Sequence, residues 1–397
     1  MRIYADNAAT TRTSKAAIDA MLPYMTGVYG NPSSLHTAGQ EAKEALENAR
    51  EEMARLLDCD ARGVYFTSGG SEADNQALLT AAAIGERKGK KHIISTAFEH
   101  HAVLHALNKL EKRGFEITLL PVHENGIVVP DEVKAAIRPD TVAVSCMYAN
   151  NEIGTIQPIA EIGAICREAG VIFHVDAVQA VGHIPVSIEK DNIDMLSLSA
   201  HKFHGPKGVG ALYCKKGIPL YTLIEGGAQE RGKRAGTENV AGIVGMVAAL
   251  REAVASMDET AARLTAMRDE LIDGLLERIP HSRANGDRVK RLPGNLNMCF
   301  EGIEGESLLL YLDDKGICAS SGSACTSGSL DPSHVLLAIG LVHDIAHGSL
   351  RISLCKENTE EEIKYMLDAV PDVVARLREM SPVWHDLKEG RREYVIQ

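Results

Sequence analysis

At 397 residues, 45% of them hydrophobic and 24% charged, the chain has the length for two domains and the composition of a globular protein rather than a disordered or fibrous one. Its 54 acidic against 42 basic residues leave a net charge of −12, which speaks against DNA, RNA or an anionic membrane as the main partner. No apolar run reaches the length of a membrane span and residues 1–7 do not open a signal peptide, so a cytoplasmic protein without membrane attachment is expected.

After an N-terminal arm carrying Asp6-Asn7-Ala8-Ala9-Thr10-Thr11, the apolar residues Ala42, Ala45, Leu46, Ala49, Met53, Leu56 and Leu57 recur at helical spacing and predict one amphipathic helix over 39–57. Apolar or alternating runs then mark seven strands, at 64–67, 92–96, 116–121, 142–147, 171–175, 193–198 and 209–214. Connections such as 72–88, 101–113 and 159–169 are long enough to hold helices. This alternation predicts an α/β fold, a mainly parallel sheet with helices on both faces. The connection 202–208 is too short for a parallel crossover, so the last strand is expected to run antiparallel. Beyond Gly236, a long helix marked by Leu264, Met267, Leu271, Leu275 and Ile279 leads into a smaller α+β part. That part has a strand at 294–300 and a helix opened by a capping box of Thr359 with Glu362. The expected division is a large domain over 15–255 and a small one built from 1–14 and 256–397.

In such a sheet, ligands bind outside the carboxyl ends of the strands. Five polar clusters fall there: Thr67 to Glu72, Glu99-His100-His101, Asn150-Asn151-Glu152, Asp176 to Gln179, and Ser199 to Lys202. Ser68-Gly69-Gly70-Ser71 opens a helix, where small residues and the helix dipole suit a phosphate. The stretch from Gly227 to Arg234 nearly spells a nucleotide-binding loop, but Arg234 replaces the magnesium-binding hydroxyl. It reads better as a basic loop bringing Arg231, Arg234 and Thr237 towards that phosphate. Asp176 follows an apolar strand and needs a cationic partner, which a pyridinium nitrogen supplies. His100 with Glu99 and His101 lacks further ligands at zinc spacing, so stacking and proton transfer suit it better than metal binding.

Lys202, pinned between an apolar strand and a Gly-Pro turn, is either a strand cap with its charge in water or a nucleophilic amine of the Schiff-base kind. Its polar neighbours favour the second. The eight cysteines form no C-x-x-C pair, which suggests neither a zinc site nor a disulfide framework. Cys325 stands apart from the others in the run of small polar residues from Ser320 to Ser329, where a working thiol belongs.

Taken together, these residues resemble the NifS-like cysteine desulfurases among the fold-type I pyridoxal-phosphate enzymes of aminotransferase class V. The likeness runs nearly end to end, through the arm at 6–11, Gly30-Asn31-Pro32-Ser33-Ser34, 67–75, Glu99-His100, 150–154, 174–179, 199–208, 234–239, 320–327 and Arg351-Ile352-Ser353. Ala200 and Ala228 stand where glycine is common in the family. The resemblance implies pyridoxal 5'-phosphate on Lys202, its phosphate held by Gly70, Ser71, Ser199 and His201, with Thr237 joining from the other subunit of a homodimer. It implies Asp176 at the ring nitrogen, Gln179 at the ring hydroxyl and His100 stacked on the ring. Asn151 would touch cofactor and substrate, and Arg351 would clamp the carboxylate of L-cysteine.

The expected catalytic residues are therefore Cys325, Lys202 and His100. Sulfur would leave L-cysteine as a Cys325 persulfide, with L-alanine as co-product. It would then pass to an iron–sulfur scaffold or another sulfur-acceptor protein. No resident metal is expected, with Cys325 a transient cluster ligand at most. The alternatives are a selenocysteine lyase or aminotransferase on the same frame, and a non-catalytic sulfur carrier or assembly protein.

Overall fold

The computed structural model describes residues 2–321 and 332–396. After a short β1 (Ile3–Tyr4), the seven strands read from the sequence are β2 (Val64–Thr67), β3 (His92–Thr96), β4 (Glu116–Leu120), β5 (Thr141–Ser145), β6 (Ile172–Asp176), β7 (Met195–Ser199) and β8 (Gly210–Cys214). They form one sheet in the order β2-β8-β7-β6-β5-β3-β4. All neighbours are parallel except β8, which runs antiparallel to both β2 and β7. The expected reversal of the last strand is present. Because β8 reverses twice, β2 points the same way as β7. The carboxyl ends of β2, β3, β5, β6 and β7 therefore share one edge.

Strands β3, β5, β7 and β8 are buried at every residue, as strands of a sheet covered by helices on both faces must be. Two of the covering helices, Gly70–Lys88 and Ile159–Ala169, stop at Gly89 and Gly170, which take the left-handed φ of 67° and 63° that ends a helix. The amphipathic helix runs Thr37–Leu56 and starts earlier than its apolar spacing indicates, because the His36 ring nitrogen accepts from the Gly39 N–H and caps it. Its buried stripe of Ala42, Ala45, Leu46, Ala49 and Met53 is the one read from the sequence.

Further along the chain lie β9 (Ser282–Ala284), β10 (Asn295–Phe300), β11 (Ile317–Cys318) and β12 (Ser349–Ser353). Strands β9, β10 and β12 form an antiparallel sheet, and β11 pairs in parallel with β1. A second hydrophobic core gathers there, with Leu264, Leu271 and Leu275 of the helix Met257–Arg278 against Leu296, Ile352, Met366 and Val370. Ile3 and Ala5 belong to this core, so the first residues of the chain pack with some of the last. Val335 and Leu336 join the core beneath the seven-stranded sheet instead. The helix Glu360–Met380 opens on the full capping box, with Thr359 and Glu362 each bonded to the other's backbone. Among the described residues no single helix is long and apolar enough to cross a membrane.

Candidate active site

A cavity of about 320 Å³ lies at the shared carboxyl edge of the sheet. Each of the five polar clusters lines it: Gly70 and Ser71 after β2, His100 after β3, Asn151 after β5, Asp176 and Gln179 at β6, and Ser199, His201 and Lys202 at β7. Arg351 arrives from β12, and Ala8 and Ala9 of the N-terminal arm close one wall. Thr237 is exposed and lies outside the cavity of its own chain. Cys325 lies outside the described residues.

Not every residue of the five clusters faces the cavity. Asn150 shapes its loop, its side-chain oxygen accepting from the N–H groups of Glu152 and Ile153. Glu152 is buried against the hydroxyl of Ser333. Glu99 is buried and accepts from the Thr96 hydroxyl at 2.6 Å and the Met147 N–H at 2.9 Å, and burial pushes its carboxyl up to about 8.

Lys202 sits in the 3-10 turn Ala200–Lys202 directly after β7, which the Phe203 and Gly205 N–H groups close onto the Ala200 carbonyl. Its ammonium donates to the carbonyls of Ala8 and Ala9 at 2.6 and 2.8 Å. The arm is held against this turn by the Thr11 N–H on the His201 carbonyl at 2.9 Å and by Thr10 Oγ1 against the His201 ring at 3.1 Å. His100 caps the helix His101–Glu111, its Nδ1 accepting from the Ala102 N–H. The ring proton therefore sits on Nε2. Burial, and then the charge on Lys202, push this histidine down to about 4, so it is a neutral base at pH 7.

Asp176 ends β6 with its side chain buried, and one carboxylate oxygen accepts from the Val178 N–H at 2.9 Å. Burial, reinforced by the neighbouring Asp74 carboxyl, pushes it up to about 7. Asp74 is a lining residue that sequence reasoning missed. It lies one turn into the helix Gly70–Lys88, is likewise raised to about 7 by burial, and has one oxygen without a hydrogen-bond partner among the described residues. The available signal was an acid among Ala73, Ala77, Leu78 and Ala81 in a helix whose other residues explain its packing. Beneath the pair, His174 is held by the hydroxyls of Ser145 at 2.9 Å and Ser197 at 3.0 Å, and burial pushes it down to about 4. Two raised carboxyls over a neutral histidine leave a pocket short of positive charge.

The helix that opens at Gly70 has no side-chain cap, so its first N–H groups remain available at the cavity. A Cβ on Gly70 would meet Val178 Cγ2 at 2.6 Å, so only glycine lets the backbone approach this closely. The basic loop behaves differently from the sequence expectation. Arg234 ion-pairs with Glu72 of that first turn at 2.9 Å. Arg231 turns away, lying over the Tyr65 ring and donating to the Arg62 and Val64 carbonyls. It does so because Glu230 beside it is drawn inward to the buried Arg50, which fixes the turn.

Arg351 is buried, donates to the Asn151 carbonyl at 3.0 Å and to Asp6 at 2.8 Å, and its Nε–H has no partner among the described residues. An anion-seeking guanidinium, an uncapped helix start and a cation-seeking carboxyl thus line one cavity with an amine.

The class-V aminotransferase family model matches residues 3–366. The chain belongs to the NifS-like cysteine desulfurases of aminotransferase class V. It is 52% identical over 394 residues to the cysteine desulfurase IscS of Clostridium botulinum, covering 99% of both chains. It is 54% identical over 381 residues to that of Methanosarcina thermophila, covering 96% of this chain and 94% of the relative. A solved NifS-like protein, 41% identical, superposes with a TM-score of 0.89 over 95% of this chain and 100% of its own. Cysteine desulfurases of this class depend on pyridoxal 5'-phosphate. The residues here fit that group: Asp176 lacks the positive charge a pyridinium nitrogen brings, and the Gly70 cradle has room and donors for a phosphate.

Proposed function

We propose that this chain releases sulfur from L-cysteine as a Cys325 persulfide, leaving L-alanine, with pyridoxal 5'-phosphate held in the cavity through Lys202. The observation that carries this reading is the meeting of Lys202, Asp176, Gly70 and Arg351 around one cavity. Gly70 and Ser71, with Ser199 and His201, would hold the phosphate, and Thr237 of a second copy would complete the seat. Gln179 already gives one amide hydrogen to the Ala8 carbonyl at 3.0 Å, which steadies its remaining polar atoms for the ring hydroxyl. When bound, the cofactor supplies an electron sink for charge developing on the substrate.

The chain's own residues do the rest. Asp176, as carboxylate, keeps a proton on the ring nitrogen, since opposite charges in a buried site hold each other ionised. Arg351 binds the substrate carboxylate and Asn151 lines the same end of the cavity. Lys202 Nζ, as the neutral amine, takes the α-proton. His100 Nε2 faces the substrate thiol and mediates its proton transfer. Cys325, as thiolate, attacks the substrate sulfur, so that an S–S bond forms as the C–S bond breaks. The electron pair of the broken bond stays on the substrate Cβ and is protonated there, and Lys202 Nζ returns its proton to Cα, giving L-alanine. The persulfide sulfur then passes to the thiolate of an acceptor protein, for which an iron–sulfur scaffold is the proposed class. A homodimer in the cytoplasm, with a large domain over 15–255 and a small one over 1–14 and 256–397, is part of this proposal.

The test is direct. Purified protein should be yellow, borohydride should fix the chromophore to Lys202, and L-cysteine should give equal amounts of L-alanine and thiol-releasable sulfide. Colourless protein that binds no added cofactor, or transamination in place of sulfur release, would overturn it.

A further inference from the structure

The guanidinium of Arg351 is held from two sides. One terminal nitrogen donates to the Asn151 carbonyl at 3.0 Å and the other ion-pairs with Asp6 at 2.8 Å. The Arg351 side chain is 2% exposed and Asp6 is 20% exposed. The Nε–H is buried and has no hydrogen-bond partner among the described residues. Asp6 owes its place to the backbone. The arm bridges β12 at Ser353, where the Ser353 N–H donates to the Ala5 carbonyl at 2.7 Å and the Asn7 N–H to the Ser353 carbonyl at 3.2 Å. Ser353 and Arg351 point to the same face of β12, two residues apart. The pairing of β1 with β11 fixes the arm from the other end. A guanidinium recognises a carboxylate through two parallel N–H bonds, which requires its plane to be set before the ligand arrives.

We propose that Asp6 is a positioning residue for substrate recognition: by holding one end of the Arg351 guanidinium, it sets the plane in which Arg351 meets the α-carboxylate of the amino-acid substrate. The inference rests on the proposed role of Arg351. An acid beside a carboxylate site has two opposite possible effects, and their signs separate them. A positioning acid strengthens carboxylate binding. A merely repelling one weakens it, and its removal would tighten the site.

The test compares ligands with and without the group in question. The visible absorbance of the cofactor-loaded protein is titrated with L-alanine, which carries the carboxylate, and with cysteamine, an amino thiol that lacks one. In wild type, Asp6→Ala, Asp6→Asn and Arg351→Gln, the quantity read is the ratio of the two affinities. Asp6→Ala should weaken L-alanine by about tenfold, the scale of a lost charged hydrogen bond, and leave cysteamine unchanged. Asp6→Asn keeps an oxygen for the guanidinium and should recover part of the loss, and it carries the test if the alanine variant fails to load or fold. With L-cysteine as substrate, KM should rise and kcat should hold. Tighter L-alanine binding in Asp6→Asn, or equal weakening of both ligands, would overturn the proposal. Arg351→Gln separates the two levels. If it keeps the wild-type ratio, the reading of Arg351 fails and the proposal with it. If it loses the ratio while both Asp6 variants keep it, only the role of Asp6 fails.

Discussion

Lys202 and Asp176 reach one cavity from the carboxyl ends of neighbouring parallel strands, β7 and β6, whose register pairs Asp176 with Ser197. Backbone pairing thereby brings an amine, in the turn after β7, and a cation-seeking carboxyl, at the end of β6, to the lining of one cavity. Lys202→Ala removes the amine without disturbing that pairing. It should lower sulfur release by roughly a thousandfold or more, the scale of a lost base and anchor. Reduction with borohydride should then leave no cofactor attached to the chain. Activity assay and intact mass are the measurements.

The pH dependence of stability follows from Asp176. In the cofactor-free protein its carboxyl is raised to about 7 from an ordinary value near 3.8. The folded state then keeps a proton that the unfolded state has lost, so this group costs stability as pH rises from about 4 to 7. Asp176→Asn removes that cost. Cofactor-free wild type should lose ground to cofactor-free Asp176→Asn between pH 5 and pH 8, by on the order of a few kcal/mol given ~1.4 kcal/mol per pH unit. His100 and His183, each pushed down to about 4 with no contribution from Asp176, act in the opposite sense below pH 6.5 and are common to both proteins, whereas His174, also near 4, is raised by the Asp176 charge and loses that support in the variant. In the loaded protein the order should reverse, because the wild-type carboxylate gains a cation. Thermal melts at both pH values, with and without cofactor, check all four combinations.

Cys325 is assigned its part from the small polar run around it and from the family resemblance. Cys325→Ala should keep the yellow colour and the absorbance change on adding L-cysteine, while thiol-releasable sulfide falls to background. Sulfide assay together with the visible spectrum separates loss of the acceptor thiol from loss of the site. Full sulfide release in this variant would remove Cys325 from the mechanism.

The sheet was legible because its strands are uninterrupted apolar runs bounded by turn residues, and the polar clusters were legible because a parallel sheet gathers strand ends at one edge. What stayed hidden depends on long-range contact. Asp74 is one more polar residue on a helix until the fold sets it beside Asp176. The carbonyls of Ala8 and Ala9 carry no side-chain signal, yet they meet Lys202 across the length of the large sheet's sequence. Arg231 was misjudged for the same reason. Its charge pointed to a phosphate, but the direction of its side chain was decided by Glu230 next to it, and that residue answers to Arg50, far earlier in the chain.

That last pair gives a prediction about stability rather than chemistry. Arg50 and Glu230 are both nearly fully buried, and the carboxylate meets the guanidinium through two bonds of 2.8 Å. Glu230 also accepts from the Phe66 N–H at 2.9 Å, and Arg50 donates to the Val64 carbonyl at 2.8 Å, so both residues lock onto β2. Glu230→Ala leaves the buried guanidinium with only the half-exposed Glu47 carboxylate at 3.4 Å as counter-charge and frees the turn at 230–231, whose two residues hold left-handed backbone angles. The expected cost is about 3–5 kcal/mol, the usual penalty for breaking rather than replacing a buried pair. Replacing both partners, Arg50→Met with Glu230→Leu, removes both charges and should recover a large part of the loss. Denaturant unfolding of the two proteins measures the difference. Because β2 leads directly to Gly70, the single variant should also bind pyridoxal 5'-phosphate more weakly at temperatures where it remains folded, which equilibrium dialysis reads separately from unfolding.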